Sequence, residues 1–154
     1  MDPYAAPAAL RAPVPAPGPA APEPLARRLL VPLGTLAAVA AAFTYVGSVD
    51  PNHPGHYPVC PLYALTGIYC PGCGGLRSAH AVAHGDLVAA LGDNALAVVG
   101  YGVFAVVMVG WLIRAVRARP TQVTLRPVYW WGIGAVVLAF SVVRNLPLGS
   151  FLAP

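Results

Sequence analysis

The sequence is short of charge. Only 9% of its 154 residues are Asp, Glu, Lys or Arg, against about 25% in an ordinary soluble domain. A shell so poor in charge cannot face water all round, which points to lipid as the solvent. Lysine is absent, and the nine basic residues are all arginine. They are scattered along the chain, without the basic face and interleaved aromatics that nucleic-acid binding needs, so the formal net charge of +4 does not indicate a nucleic-acid partner. Cysteine is scarce and odd in number: there are three. If two pair within the chain, the third is left over.

What is abundant is apolar. No charged residue occurs from Leu29 to Val49, behind the flanking Arg27 and Arg28. A run of about 20 apolar residues crosses a hydrocarbon core. It is longer than the core of a cleaved signal peptide and lies far from Met1, so a retained helix is expected. Two further spans are expected, the second over about 94–113 and the third over about 128–146, with Trp130 and Trp131 as interfacial anchors. Residues 1–24, mostly Ala and Pro, read as a disordered cytoplasmic tail. Residues 25–154 read as the membrane domain. The expected fold class is therefore an all-α membrane protein with three transmembrane helices. A cysteine loop, 50–93, with short interfacial helices, joins the first span to the second. No acidic residue or histidine interrupts the spans, which argues against a transport path.

Arginine placement gives an orientation. Seven arginines (11, 27, 28, 114, 117, 119 and 126) lie before the first span or between the second and third, against Arg77 and Arg144 elsewhere. The positive-inside rule then puts the N-terminus in the cytoplasm, and the cysteine loop and C-terminus outside.

The loop carries the chemistry. Gly72, Gly74 and Gly75 let the chain bend around Cys70-Pro-Gly-Cys73. A short helix, "LRSAHAVAH", follows and ends at Gly85. Asp86 is placed to cap a second short helix, and Asp93 to cap the second span. Arg77, His80 and His84 share one face of the first of these helices. Cys60, Cys70 and Cys73 offer three of the four ligands of a zinc ion. His80 offers the fourth, although seven helical residues rise about 10 Å and it would have to turn back toward Cys73. His53 and His56 offer alternatives. The same thiols suit a dithiol pair, Cys70 with Cys73, lowered in pKa by a helix start. They also suit a static disulfide from Cys60 to Cys70 or Cys73, which an oxidising compartment permits. These three readings stay open.

The segment "CPLYALTGIYCPGCGGLRSAH" resembles the bacterial membrane proteins grouped as domain of unknown function 2752. Cys60-Pro61, Thr66-Gly67, Cys70-Pro71-Gly72-Cys73-Gly74, Arg77, Gly85-Asp86 and Asn94 match that pattern, as does the closing Arg144-Asn145 with Pro147. Leu76 stands where threonine is usual, and Ala95 where proline is usual. The resemblance covers about residues 57–152. It implies a bacterial inner-membrane location and carries no established activity.

Topology then gathers Arg77, Asp86, Asn94, Arg144 and Asn145 with the cysteines at one membrane face as a structural polar cluster. Within it, Asp86 or Asp93 is expected to pair with Arg77 or Arg144. The expected role is structural or accessory, with the loop held by a disulfide or a zinc ion and with the lipid bilayer, a protein partner or a second copy as neighbours. The alternative is a membrane thiol-disulfide oxidoreductase using Cys70 and Cys73.

Overall fold

The structure is a computed structural model that describes residues 23–119 and 126–154. Most of the expected Pro/Ala-rich tail, residues 1–22, lies outside the described residues. The described residues form helices α1 (Leu25–Ser48), α2 (Pro61–Thr66), α3 (Gly75–Ala83), α4 (Leu87–Val116) and α5 (Pro127–Val143), then a 3₁₀ helix over Pro147–Leu152. No strand occurs among them.

α1 and α4 are long and apolar enough to cross a membrane, and α5 is a shorter apolar helix. At 1.5 Å per residue α1 is about 36 Å long and α5 about 26 Å. α1 and α4 run antiparallel. Near the start of α1, Arg28 donates from Nη1 to Ala115 O near the end of α4, at 3.0 Å. Further along, the Phe43 and Tyr101 rings meet edge to face at 5.3 Å. The arginine positions the guanidinium over the carbonyl end of α4, where a cation is favoured. Arg27 and Arg28 thus share one end of the helix pair with Arg114 and Arg117, which flank the close of α4.

The opposite end holds the loop. α3 packs against both α1 and α4 through small residues. Ser78 and Ala79 are buried. Gly47 of α1 comes so close to α3 that a Cβ there would lie 3.1 Å from Ala83 Cβ. Leu76 is exposed, and the helix is buried on its Ser78–Ala79 side.

α4 contains the second short helix and the second apolar stretch in one element, broken at Asn94, whose φ of −162° and ψ of 93° are not helical. Asp86 caps the first part, accepting from Ala89 N–H at 2.9 Å. The second part is capped by Asn94, whose Oδ1 accepts from Ala97 N–H at 2.9 Å. Asp93, the expected cap, is one residue too early. α2 was not foreseen. Pro61 in its first turn and Gly67 at its end, in the left-handed region at φ 70°, are the signals that delimit it.

Burial is inverted relative to a water-soluble protein. The largest fully buried side chains are Arg144, Asn94, Pro32 and Ser78, while most large apolar side chains are exposed. α5 has no buried residue at all. The polar interior sits at the loop end, and the apolar exterior covers the helix sides.

Candidate metal centre

Two segments bring the thiols together. Cys60 precedes α2, Cys70 follows the turn after it, and Cys73 sits in the turn that opens α3. The turn closes with Cys73 N–H donating to Cys70 O at 3.1 Å, and Gly75 N–H to Gly72 O at 2.9 Å. Gly74 then takes φ 79°. A side chain there would collide with the Asp93 backbone oxygen and approach Pro154 Cβ to 2.7 Å, so both backbone freedom and the absence of a Cβ are required. The outcome is a cluster in which all three Sγ atoms lie within 4.8 Å of one another. Cys60 Sγ is 3.5 Å from Cys70 Sγ, and Cys70 Sγ is 3.1 Å from Cys73 Sγ. The three cysteines are free and half-buried. The sulfurs do not form a disulfide, which would need about 2.05 Å.

The cluster is gripped from behind through its backbone. Asn94 donates from Nδ2 to Pro71 O at 2.9 Å and to Cys73 O at 3.0 Å. Arg144 donates from Nη1 to Cys70 O at 3.0 Å and Cys73 O at 3.2 Å, and from Nη2 to Leu152 O at 3.0 Å. Its guanidinium carbon lies 4.9 Å from the Phe140 ring centre and 5.7 Å from that of Tyr69. Asn145 pairs with the Tyr69 backbone in both directions, accepting from N–H at 2.8 Å and donating to O at 2.9 Å. Three of the five residues of the expected polar cluster therefore hold residues 69–73 directly. Asp86 caps α4, and Arg77 lines an open groove that also exposes Cys60 and Cys73.

The expected pairing of Asp86 or Asp93 with Arg77 or Arg144 is not what the structure contains. Among the described residues no Arg–Asp pair lies within 4.0 Å at this end, and Arg144 spends its donors on backbone carbonyls. Carbonyl oxygens serve a buried guanidinium because each brings partial negative charge without the desolvation cost of a second ion.

His80 stands apart from the sulfurs. Its Nδ1–H donates to Val46 O at 2.8 Å, and its Nε2 lies 3.9 Å from Asp50 Oδ1. The carbonyl can only accept, so the imidazole must donate there. Among the described residues the three thiols form the close group without a fourth His, Asp or Glu ligand atom.

Electrostatics make the thiols unequal. The Tyr63 backbone amide, followed by the neighbouring Cys70 and Cys73 thiols, favours the Cys60 thiolate and pulls its pKa from 9.0 down to about 7. Burial, followed by the same kind of thiol contacts, pushes Cys73 up to about 12. Three thiols this close cannot all ionise unless a cation joins them. A soft divalent ion supplies that charge and takes thiolate ligands.

The fold and the cluster together define a class: a small helical protein with two or three apolar helices and a three-thiol loop at one end. Residues 60–108 match the family model described as protein of unknown function (DUF2752). The match bears out the resemblance read from the sequence. It includes all three cysteines, Arg77, Asp86 and Asn94, and stops short of Arg144 and Asn145. No curated protein and no solved structure matches the chain.

Proposed function

We propose that this chain is a three-span inner-membrane protein of bacterial type that presents a zinc site on its extracytoplasmic face, in a structural or accessory role. The zinc ligands are the thiolates of Cys60, Cys70 and Cys73. The observation that carries the reading is the convergence of all three sulfurs, one from before α2 and two from the Cys70–Cys73 turn, within 4.8 Å. At zinc–sulfur bonds of about 2.3 Å, two corners of a tetrahedron lie roughly 3.8 Å apart. The separations of 3.5 and 3.1 Å lie somewhat below that spacing and the third is within 4.8 Å, so small shifts would accommodate one ion, whereas a disulfide would use two of the sulfurs and leave the third without a role. Bound zinc would fix the loop that Asn94, Arg144 and Asn145 already hold from the protein side.

The membrane reading is supported by the exposed apolar sides of α1, α4 and α5. The orientation is supported by the arginines at the end remote from the thiols. α5 is short for a span, and the Arg144 guanidinium, turned into the loop, closes its outer end.

The oxidoreductase alternative is favoured by one distance, the 3.1 Å between Cys70 and Cys73 Sγ. The two readings separate on protein purified without chelator or reductant. The zinc reading expects zinc bound to the chain and three thiols alkylated once it is removed under denaturing conditions. A metal-free chain with one thiol alkylated, and two more only after reduction, supports the alternative and overturns the zinc site.

A further inference from the structure

All four histidines of the chain, His53, His56, His80 and His84, lie in the loop between α1 and α4, and Asp50 stands among them. We propose that Asp50, His53 and His80 form a second metal site, distinct from the thiols, for a divalent first-row transition ion. The proposal does not require the thiol site to be loaded.

Three observations carry it. The first is the placement of the ligand atoms. His80 Nε2 lies 3.9 Å from Asp50 Oδ1, and His53 Nε2 lies 3.8 Å from Asp50 Oδ2, one imidazole at each carboxylate oxygen. Both separations are too long for hydrogen bonds, so neither interaction uses up the nitrogen lone pair. The second is the anchoring of His80. Its Nδ1–H donates to Val46 O at 2.8 Å, which fixes the tautomer and leaves Nε2 as the free donor atom aimed at Asp50. A backbone carbonyl on the far ring nitrogen is how metal-binding histidines are held. The third is the preparation of Asp50. Asn52 donates to its Oδ1 from both the backbone N–H and Nδ2, each at 2.8 Å, and these bonds keep the carboxyl below its usual pKa and therefore ionised.

Ligand atoms on one ion at bonds of about 2.0–2.2 Å lie roughly 3 Å apart. Each imidazole needs to close on its carboxylate oxygen by less than about 1 Å to reach that spacing, and His53, on the other carboxylate oxygen from His80, must also swing inward, because the three ligand atoms do not yet lie within 4.8 Å of one another as the thiols do. His80 is held with its side chain 20% exposed, whereas His53 is 70% exposed and has room to move. Neutral imidazole and carboxylate together suit zinc, cobalt, nickel or copper. His56 Nδ1–H donates to the Asp50 backbone oxygen at 2.9 Å, which ties the 50–56 turn together.

Cobalt(II) tests the proposal and separates it from the thiolate site, because only sulfur ligands give near-ultraviolet charge-transfer bands. The triple variant Cys60→Ser, Cys70→Ser, Cys73→Ser is titrated with cobalt in detergent. The proposal expects visible ligand-field bands without charge transfer, abolished by adding His53→Ala. In the unsubstituted chain, which keeps the test valid if the triple variant fails to fold, His53→Ala is expected to remove one equivalent of bound cobalt and leave any charge-transfer bands unchanged. If His53→Ala and Asp50→Asn leave cobalt stoichiometry unchanged in the unsubstituted chain, the second site is overturned. Absence of charge-transfer bands from the unsubstituted chain would count against the thiolate site alone.

Discussion

Arg144 and Cys70 stand 74 positions apart, and the Arg144 Nη1–H donates to the Cys70 carbonyl oxygen at 3.0 Å. The arginine is 1% exposed, the largest of the fully buried side chains, and has no carboxylate partner among the described residues. Its work is to tie the end of α5 and the 3₁₀ helix to the backbone of the cysteine turn. Arg144→Met keeps much of the stem but deletes the bonds to Cys70, Cys73 and Leu152. The expected loss is roughly 3 kcal/mol, the scale of charge-assisted hydrogen bonds whose acceptors stay buried. Arg144→Lys is expected to rescue little, because one ammonium cannot span the separate carbonyls that the planar fork reaches. Thermal unfolding in detergent measures both.

Asn94 does two jobs with one amide, and substitution separates them. Asn94→Asp keeps the oxygen that accepts from Ala97 N–H but loses both donations to the cysteine turn. The expected result is an α4 that stays helical beyond the break, with Cys73 more quickly alkylated. Asn94→Ala loses the cap as well, at a further cost of about 1 kcal/mol. Hydrogen exchange at residues 95–98, read beside the alkylation rate, distinguishes the two.

Two glycines in the same turn are expected to respond differently. Gly74 has φ 79° and no room for a Cβ beside the Asp93 backbone and Pro154. Gly72 has an ordinary φ, and a Cβ there would lie 3.8 Å from Cys70 Sγ, which is normal contact. Gly74→Ala should destabilise the protein by about 1–3 kcal/mol, and Gly72→Ala by much less. Unfolding temperatures of the two variants, measured together, check the contrast.

The metal-free thiols should titrate apart. With a pKa of about 7, Cys60 is ionised in roughly 10% of molecules at pH 6 and roughly 90% at pH 8. Cys73, at about 12, stays protonated throughout that interval. Alkylation followed by peptide mapping is expected to show Cys60 reacting several-fold faster at pH 8 than at pH 6, with Cys73 slow at both. The stability effect has a definite sign. The folded pKa of Cys60 lies below its ordinary 9.0, so its contribution is complete above pH 9 and is lost as pH falls through about 7. Cys73 has the opposite sign, contributing below pH 9 and losing that contribution as pH rises through about 12.

Much of this could be read from the chain because local pattern decides it. The apolar run from Leu29, the left-handed turn at Gly85 and the cap at Asp86 are all written in neighbouring residues. Other features were not legible for physical reasons. Arg144 looked like half of an ion pair because only side-chain charges show in a sequence, and its true acceptors are backbone carbonyls brought close by the fold. Asp93 and Asn94 are both good caps, and the break in α4 chooses between them by giving Asn94 a second task at Pro71 and Cys73. His80 shares a short segment with the cysteines, yet its ring points to Val46 of α1, a direction that helical spacing alone does not reveal. α2 was legible in principle from Pro61 and Gly67, but six residues are too few to show a hydrophobic period.

The most direct measurement is X-ray absorption at the zinc edge on the chain loaded with one equivalent of zinc. Three thiolates on one ion give three sulfur scatterers at about 2.3 Å, and each single Cys→Ser variant should lower the sulfur count. A spectrum with no sulfur, unchanged in those variants, would contradict the convergence of Cys60, Cys70 and Cys73 on a common metal.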